Sequence, residues 1–454
     1  MTVMNDSTGA PLDPNRTQSL GDANRTRMLG DANRTQMIAP PNTKALTAEV
    51  VAGREYALAN SPAREAFLFE IIGAGSIGDA RTPLNLCLVI DRSGSMEGEP
   101  LEYVKRACAY VIDLLAADDI VSIVTFEEAV EVLMPPARVH NKELVKQHIQ
   151  RIAPGNTTNL YDGLSLGAQQ VLATQDPSRV ERIVVFTDGE PTAGVKDFQA
   201  LAAHVGDIKQ RGVTCTFLGF GYDYNEELLA TMAKRSGGNY YFINKPEAIP
   251  EIFRVEMYKL MTTVACNLEL RLKAARWVTI RQAYGHNVQP GQQEATLALA
   301  DVERGTSLQT AVELEFQNHP LGQYRVLAAT LSWDDALTGK REGIDLDCII
   351  EFTADQQRCS VPQNPRVAQS VEVSLATRVV EKTMMGLKAG ELTAQMAIHE
   401  LQKTQMLLQQ DGRTEEAAQV AQAVRDLQQG KKGDVEKTLI GTITQLDQGK
   451  KTQS

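Results

Sequence analysis

The chain has 454 residues, 43% of them apolar, and sets 46 Lys or Arg against 57 Asp or Glu for a formal net charge of −11. That length buries a large core and divides into two or three units, while the acidic balance, with no dense Lys/Arg block, argues against binding nucleic acid phosphates or an anionic membrane surface. No segment has the 18 or so consecutive apolar residues of a membrane span and no apolar signal core opens the chain, so the expected location is the cytoplasm.

Residues 1–46 are polar and of low complexity, with a nine-residue repeat at 13–21, 22–30 and 31–39 (DPNRTQSLG, DANRTRMLG, DANRTQMIA). So short a period cannot build a core, and the segment reads as a disordered tail. Thr17, Thr26 and Thr35 each follow an arginine and each has an aliphatic residue three places on: Leu20, Leu29 or Ile38. The pattern resembles ligands of forkhead-associated domains, which implies phosphorylation by a Ser/Thr kinase and capture by a phosphothreonine reader, with several copies adding avidity. The alternative is an expanded linker with no specific partner.

From 47 to 83, TAEVVAGREYAL and REAFLFEIIGAG read as short strands around an Asn-Ser-Pro turn. Such a pair is marginal alone, and its expected partner is a later sheet. Residues 84 to about 260 alternate apolar strands with amphipathic helices, the pattern of a parallel sheet covered on both faces. Cys87 falls in a core strand and Cys108 on an apolar helix face. The six cysteines, at 87, 108, 215, 266, 348 and 359, lack close pairs and metal spacing, so buried thiols are expected rather than bridges.

Three motifs in this block carry chemistry. Strand LNLCLVI runs into Asp91-x-Ser93-x-Ser95, GNTTNLYDGL sets Thr158 at the start of a helix, and RIVVF leads to Asp188 before a glycine turn. Each ligand-bearing loop follows a strand, the place where open α/β sheets bind. Two carboxylates and three hydroxyls leave a hard cation under-neutralised, so it still attracts an outside oxygen. The bland reading of DRSGSM alone is a helix cap; three motifs in this order point to a metal site instead.

These residues resemble the von Willebrand factor A (vWA) family, whose metal-ion-dependent adhesion site is matched at Asp91, Ser93, Ser95, Thr158 and Asp188, with Thr157 the neighbour if the loop shifts by one. The resemblance implies a doubly wound, Rossmann-like α/β domain and a bound Mg2+, with Mn2+ or Ca2+ as alternatives. It further implies an open position filled by a partner's Asp or Glu, and an adaptor role that extends to assemblies with AAA+ ATPases. No catalytic residue is assigned: the motifs supply no base, and Glu97, Glu99 and Glu190 read as dipole-compensating acids. The alternatives are a metal-dependent hydrolase or phosphatase using Asp91 and Asp188, and a purely structural ion.

Residues 261–363 alternate in short runs, an antiparallel β pattern. The expected arrangement is a β-sandwich completed by the strands of 47–83, so that the vWA domain is inserted into it; a separate sandwich following the domain is the alternative. Residues 364–430 turn helical, with joints at Gly386, Gly390 and Gly412, as a bundle or arm in which Met384, Met385, Met396 and Met406 are filler or a partner groove. Residues 431–454 read as a flexible Lys-rich tail.

Overall fold

The structure, a computed structural model, describes residues 45–74, 81–188, 190–220, 225–243 and 249–452. The threonine repeats with Thr17, Thr26 and Thr35 lie outside them. The chain enters through β1 (Leu46–Ala52), β2 (Tyr56–Leu58) and β3 (Ala63–Gly73). An α/β unit follows: β4 (Leu84–Asp91), α1 (Glu99–Leu114), β5 (Ile120–Phe126), β6 (Val130–Arg138), α2 (Lys142–Gln150), α3 (Leu160–Ala173), β7 (Val180–Thr187), α4 (Phe198–Gln210), β8 (Thr214–Phe220), α5 (Glu226–Ser236), β9 (Tyr240–Ile243) and α6 (Ile249–Thr262).

Its sheet has the order β6-β5-β4-β7-β8-β9, parallel except for β6. Every residue of β4 is buried, and the strand's period of two serves both faces. Leu84, Leu86, Leu88 and Ile90 pack with α1, α2 and α6, whereas Cys87 and Val89 pack with α3, α4 and α5. Asn141, Asn159, Asp197 and Asn225 cap α2, α3, α4 and α5 by accepting a backbone N–H three residues on, which starts each helix where its strand-end loop finishes. Strand β6 departs from the all-parallel expectation. It carries Pro135 and Pro136, which remove backbone donors, and it is accommodated as an antiparallel edge strand with register shifts against β5.

The chain continues through β10 (Thr263–Ala274), β11 (Val278–Ala283), β12 (Glu294–Ala298), β13 (Val302–Glu303), β14 (Thr306–Phe316), β15 (Gly322–Asp335), β16 (Arg341–Thr353) and a short α7 (Gln356–Cys359). One sheet is β1-β3-β14-β11; the other is β12-β10-β15-β16-β2, with β13 beside β10. Both are antiparallel apart from the β16–β2 pair. Their inward side chains, among them Phe67, Phe69, Leu270, Leu314, Leu331 and the fully buried Trp333, form one cluster. Since β3 pairs with β14 over ten positions, strands from before and after the α/β unit share a sheet. Helix α6 passes directly into β10, and Thr82 staples the outgoing chain to the returning one: its N–H donates to the Met261 carbonyl at 3.1 Å and its hydroxyl to the Thr263 carbonyl at 2.6 Å.

Four helices follow: α8 (Pro365–Lys388), α9 (Ala394–Gln410), α10 (Thr414–Gln428) and α11 (Lys432–Asp447), then β17 (Lys450–Thr452). They pack on the α/β unit, since Val380, Leu401, Val420, Val435 and Leu439 join the cluster built on Cys87 and Val89. The flexible tail expected at 431–454 is corrected here. Val435, Leu439, Ile440 and Leu446 recur at helical spacing and are buried, and β17 pairs with β14; the charged and polar runs KKGD and DQGKK at the two ends masked that stripe. Cys87, Cys108, Cys215 and Cys348 are buried, and all six cysteines are free.

Candidate metal centre

The chain crosses from β4 through α1 to β5 on one side, then through α3 to β7 on the other, so the order of strand addition reverses between the parallel neighbours β4 and β7. The crevice at a reversal point, outside the carboxyl ends of the strands, is where such sheets bind ligands. Asp91 is the last residue of β4 and Asp188 follows the last residue of β7.

Asp91 is fully buried. Its Oδ1 accepts the Ser93 N–H at 2.8 Å and its Oδ2 accepts the Thr187 hydroxyl at 2.6 Å. Burial pushes the Asp91 carboxyl up to about 6; the bonds from Thr187 and Ser93 pull it down, and Asp188 raises it further. A buried carboxylate held this way gains most from a cation beside it. The Ser93 and Ser95 hydroxyls lie 3.2 Å apart, and Ser95 donates to Asp188 Oδ1 at 2.8 Å. Asp91, Ser93, Ser95 and Asp188 thus form one connected set across two loops.

Thr158 belongs to the third loop and is 3% exposed. Its N–H donates to the Thr192 hydroxyl at 2.9 Å, and its carbonyl accepts from the Thr192 and Ala193 amides at 3.0 and 3.1 Å, so the segment after Asp188 clasps it. The carbonyl of Asn156 accepts the Gly94 N–H at 3.1 Å, which joins this loop to the first. The Thr157 hydroxyl is buried without a protein partner, so this loop has an unused oxygen donor.

Exposure rises steadily across the site. Asp91, Ser93 and Thr158 are buried, Asp188 is half-buried and Ser95 is exposed, so a cation among these oxygens has a protein side and a solvent side. Among the described residues no three His, Cys, Asp or Glu side chains are grouped to hold an ion; the donors here are hydroxyls and two carboxylates, which suit a hard, partly hydrated cation. Glu97, Glu99 and Glu190 are exposed at the rim. His204 is engaged elsewhere, bonded to the Ser165 hydroxyl at 2.9 Å and stacked on Tyr161.

Sequence reasoning missed Thr187, Thr192 and Glu127 (the residue after β5), which hold the loops in place. Thr187 has a readable signal, a hydroxyl that closes the apolar run of Ile183 to Phe186 next to Asp188. The others act through contacts distant in sequence.

The chain carries a von Willebrand factor type A domain: the model of that family matches residues 85–255. Similar proteins include sll0103 of Synechocystis, 32% identical over 265 residues covering 58% of this chain and 60% of that protein. Human inter-alpha-trypsin inhibitor heavy chain H2 is 27% identical over 34% of this chain and 17% of its own. The matches therefore span less than two thirds of either relative. A solved structure, a von Willebrand factor type A protein from Catenulispora acidiphila, superimposes with a TM-score of 0.68 at 18% identity, covering 84% of this chain and 91% of that one. That likeness extends the shared fold beyond the family's own segment. No helix of the described residues is long and apolar enough to cross a membrane.

Proposed function

We propose that this protein is a non-enzymatic adaptor that holds a divalent cation, Mg2+ in the cell, on Asp91, Ser93, Ser95, Thr158 and Asp188, and binds a protein partner through an Asp or Glu carboxylate. The observation that carries this reading is the passage from buried Asp91 to exposed Ser95 within one hydrogen-bonded donor set. An ion enclosed on all sides serves structure; an ion with a solvent-facing position recruits a ligand. With at most two carboxylates in the set and its other donors neutral hydroxyls, the ion is no more than formally balanced and its unfilled position still accepts an anionic oxygen. Hydrolysis needs in addition a base and a positioned water, and the acids at the rim, Glu97, Glu99 and Glu190, are solvent-facing rather than desolvated.

The tail supplies the second contact in this reading. Phosphorylated Thr17, Thr26 and Thr35 would recruit a forkhead-associated-domain protein while the α/β unit holds the carboxylate partner, an AAA+ ATPase being one such assembly. The unpaired cysteines agree with a reducing cytoplasm. The test is metal titration of the full chain with Mg2+, Mn2+ and Ca2+, followed by capture of partners in Mg2+ or chelator with wild type and Asp91→Ala. Partners lost under both perturbations support the reading. Partners indifferent to both overturn it, and intact-mass measurement without phosphate removes the tail's part.

A further inference from the structure

Glu127 sits just beyond β5, and no ligand assignment includes it. Its carboxylate reaches two of the three ligand loops. Oε1 accepts from the Arg92 guanidinium at 3.3 Å, and Arg92 lies between Asp91 and Ser93. Oε2 accepts the Asn156 N–H at 3.0 Å, two residues before Thr158. The Glu127 carbonyl accepts the Asn159 N–H at 3.0 Å, on the far side of Thr158. Thr158 is therefore bracketed by two bonds to one residue.

The neighbouring backbone runs in the same sense. The Arg92 N–H donates to the Phe126 carbonyl at 3.0 Å, and the Arg92 carbonyl accepts the Gly155 N–H at 2.5 Å. A Cβ on Gly155 would lie 2.6 Å from Glu127 Oε2, so glycine is what lets the carboxylate close on the loop. The Asn156 amide, first among its hydrogen bonds, holds the Glu127 carboxyl below the usual carboxylate range, as for a group that works ionised.

We infer that Glu127 is a positioning residue for the metal centre: without touching the ion, it fixes the distance between the Asp91-x-Ser93-x-Ser95 loop and Thr158 and so sets cation affinity. This rests on the metal-site reading above. Partners of metal ligands change affinity by about 10- to 100-fold when removed.

The experiment is calorimetric titration of the full chain with Mg2+ and with Mn2+, for wild type, Glu127→Ala, Glu127→Gln and Glu128→Ala. Glu128 is the adjacent exposed acid, so its loss changes the net charge equally without breaking the bracket. Glu127→Ala should weaken binding about tenfold or more and Glu128→Ala by less than about twofold. Glu127→Gln, which keeps an oxygen for the Asn156 N–H, should fall between them. Thermal midpoints in chelator should match wild type, which separates a positioning role from a merely structural one. Equal affinities for Glu127→Ala and Glu128→Ala, with wild type binding metal, overturn this inference alone; a wild type that binds neither cation overturns the metal-site reading and this inference with it.

Discussion

Removing the Asp301 carboxylate should weaken the seam between the α/β unit and the β sheets more than loss of an ordinary surface ion pair. Asp301 lies between β12 and β13, and its Oδ2 accepts from Arg182 of β7 at 2.9 Å, with the two side chains 5% and 4% exposed. Lys209 Nζ stands 3.6 Å from Oδ1, and the Asn267 N–H donates to the same oxygen at 3.4 Å. Asp301→Ala leaves a buried guanidinium whose Nε already has no partner. Breaking a buried pair on one side costs about 3–5 kcal/mol. Glu256 still offsets part of the Arg182 charge, so the lower end applies: about 3 kcal/mol, or on the order of a hundredfold in the folding equilibrium. Both tryptophans, Trp277 and Trp333, belong to the β region, so guanidinium unfolding followed by fluorescence reads the seam from that side. Arg182→Met combined with Asp301→Leu should cost less than the sum of the single changes, because the two paired charges then leave together, while Glu256 and Lys209 still lose a neighbour. A loss under about 1 kcal/mol for Asp301→Ala, or a double variant worse than the sum of the singles, would refute the reasoning.

Other outcomes follow from the same geometry. Asp91→Asn should abolish Mg2+ binding while leaving the thermal midpoint in chelator at or above that of wild type, because the carboxylate is costly to bury without the ion; calorimetry and melting curves check both halves. Burial pushes the Glu181 carboxyl up to about 7, against bonds from the Asp176 N–H and the Asn85 amide. A raised carboxyl favours the protonated fold, so its contribution is full below about pH 4.5 and is lost as pH rises through 7, a change of about 3 kcal/mol. The stability slope between pH 5 and 8 should therefore flatten in Glu181→Gln, and an unchanged slope would contradict the assignment. Gly167→Ala places a Cβ 2.6 Å from Val89 Cγ2 where α3 crosses β4, and overpacking of this kind costs about 1–3 kcal/mol in denaturant unfolding. Gly449 has φ +67° and a Cβ there would meet the Gln309 carbonyl at 2.2 Å; Gly449→Ala should undock β17 and raise hydrogen exchange at the Gln309 amide, which otherwise donates to the Gly449 carbonyl.

The α/β unit was legible because its signals are local: strands apolar but for one residue, such as LNLCLVI, amphipathic helices between them, and acids or hydroxyls just past the strand ends. The helices after Asn364 were legible by the same periodicity. Strand β6 was not, because VEVLMPPAR has neither continuous apolarity nor clean alternation and owes its place to pairing with β5. Helix α11 was hidden by KKGD at one end and DQGKK at the other, whose charge outweighed the stripe of Val435, Leu439 and Leu446. At the site, the ligand residues announce themselves by type and spacing. Glu127 does not, since an acid after a strand is common and its meaning lies in Arg92 and Asn156, which the fold alone brings to it.

The Thr82 staple makes the α/β unit a cassette. Its entry and exit run side by side where Thr82 bonds to Met261 and Thr263, so joining the flanking β strands across that point closes almost no loop and costs little chain entropy. A short turn linking β3 to β10 should leave the two β sheets with their register, and a foreign domain with adjacent termini should be accepted in the same place. The β framework is in this sense a socket, and whatever replaces the α/β unit in it must also offer an apolar face to α8–α11 and a partner to Asp301.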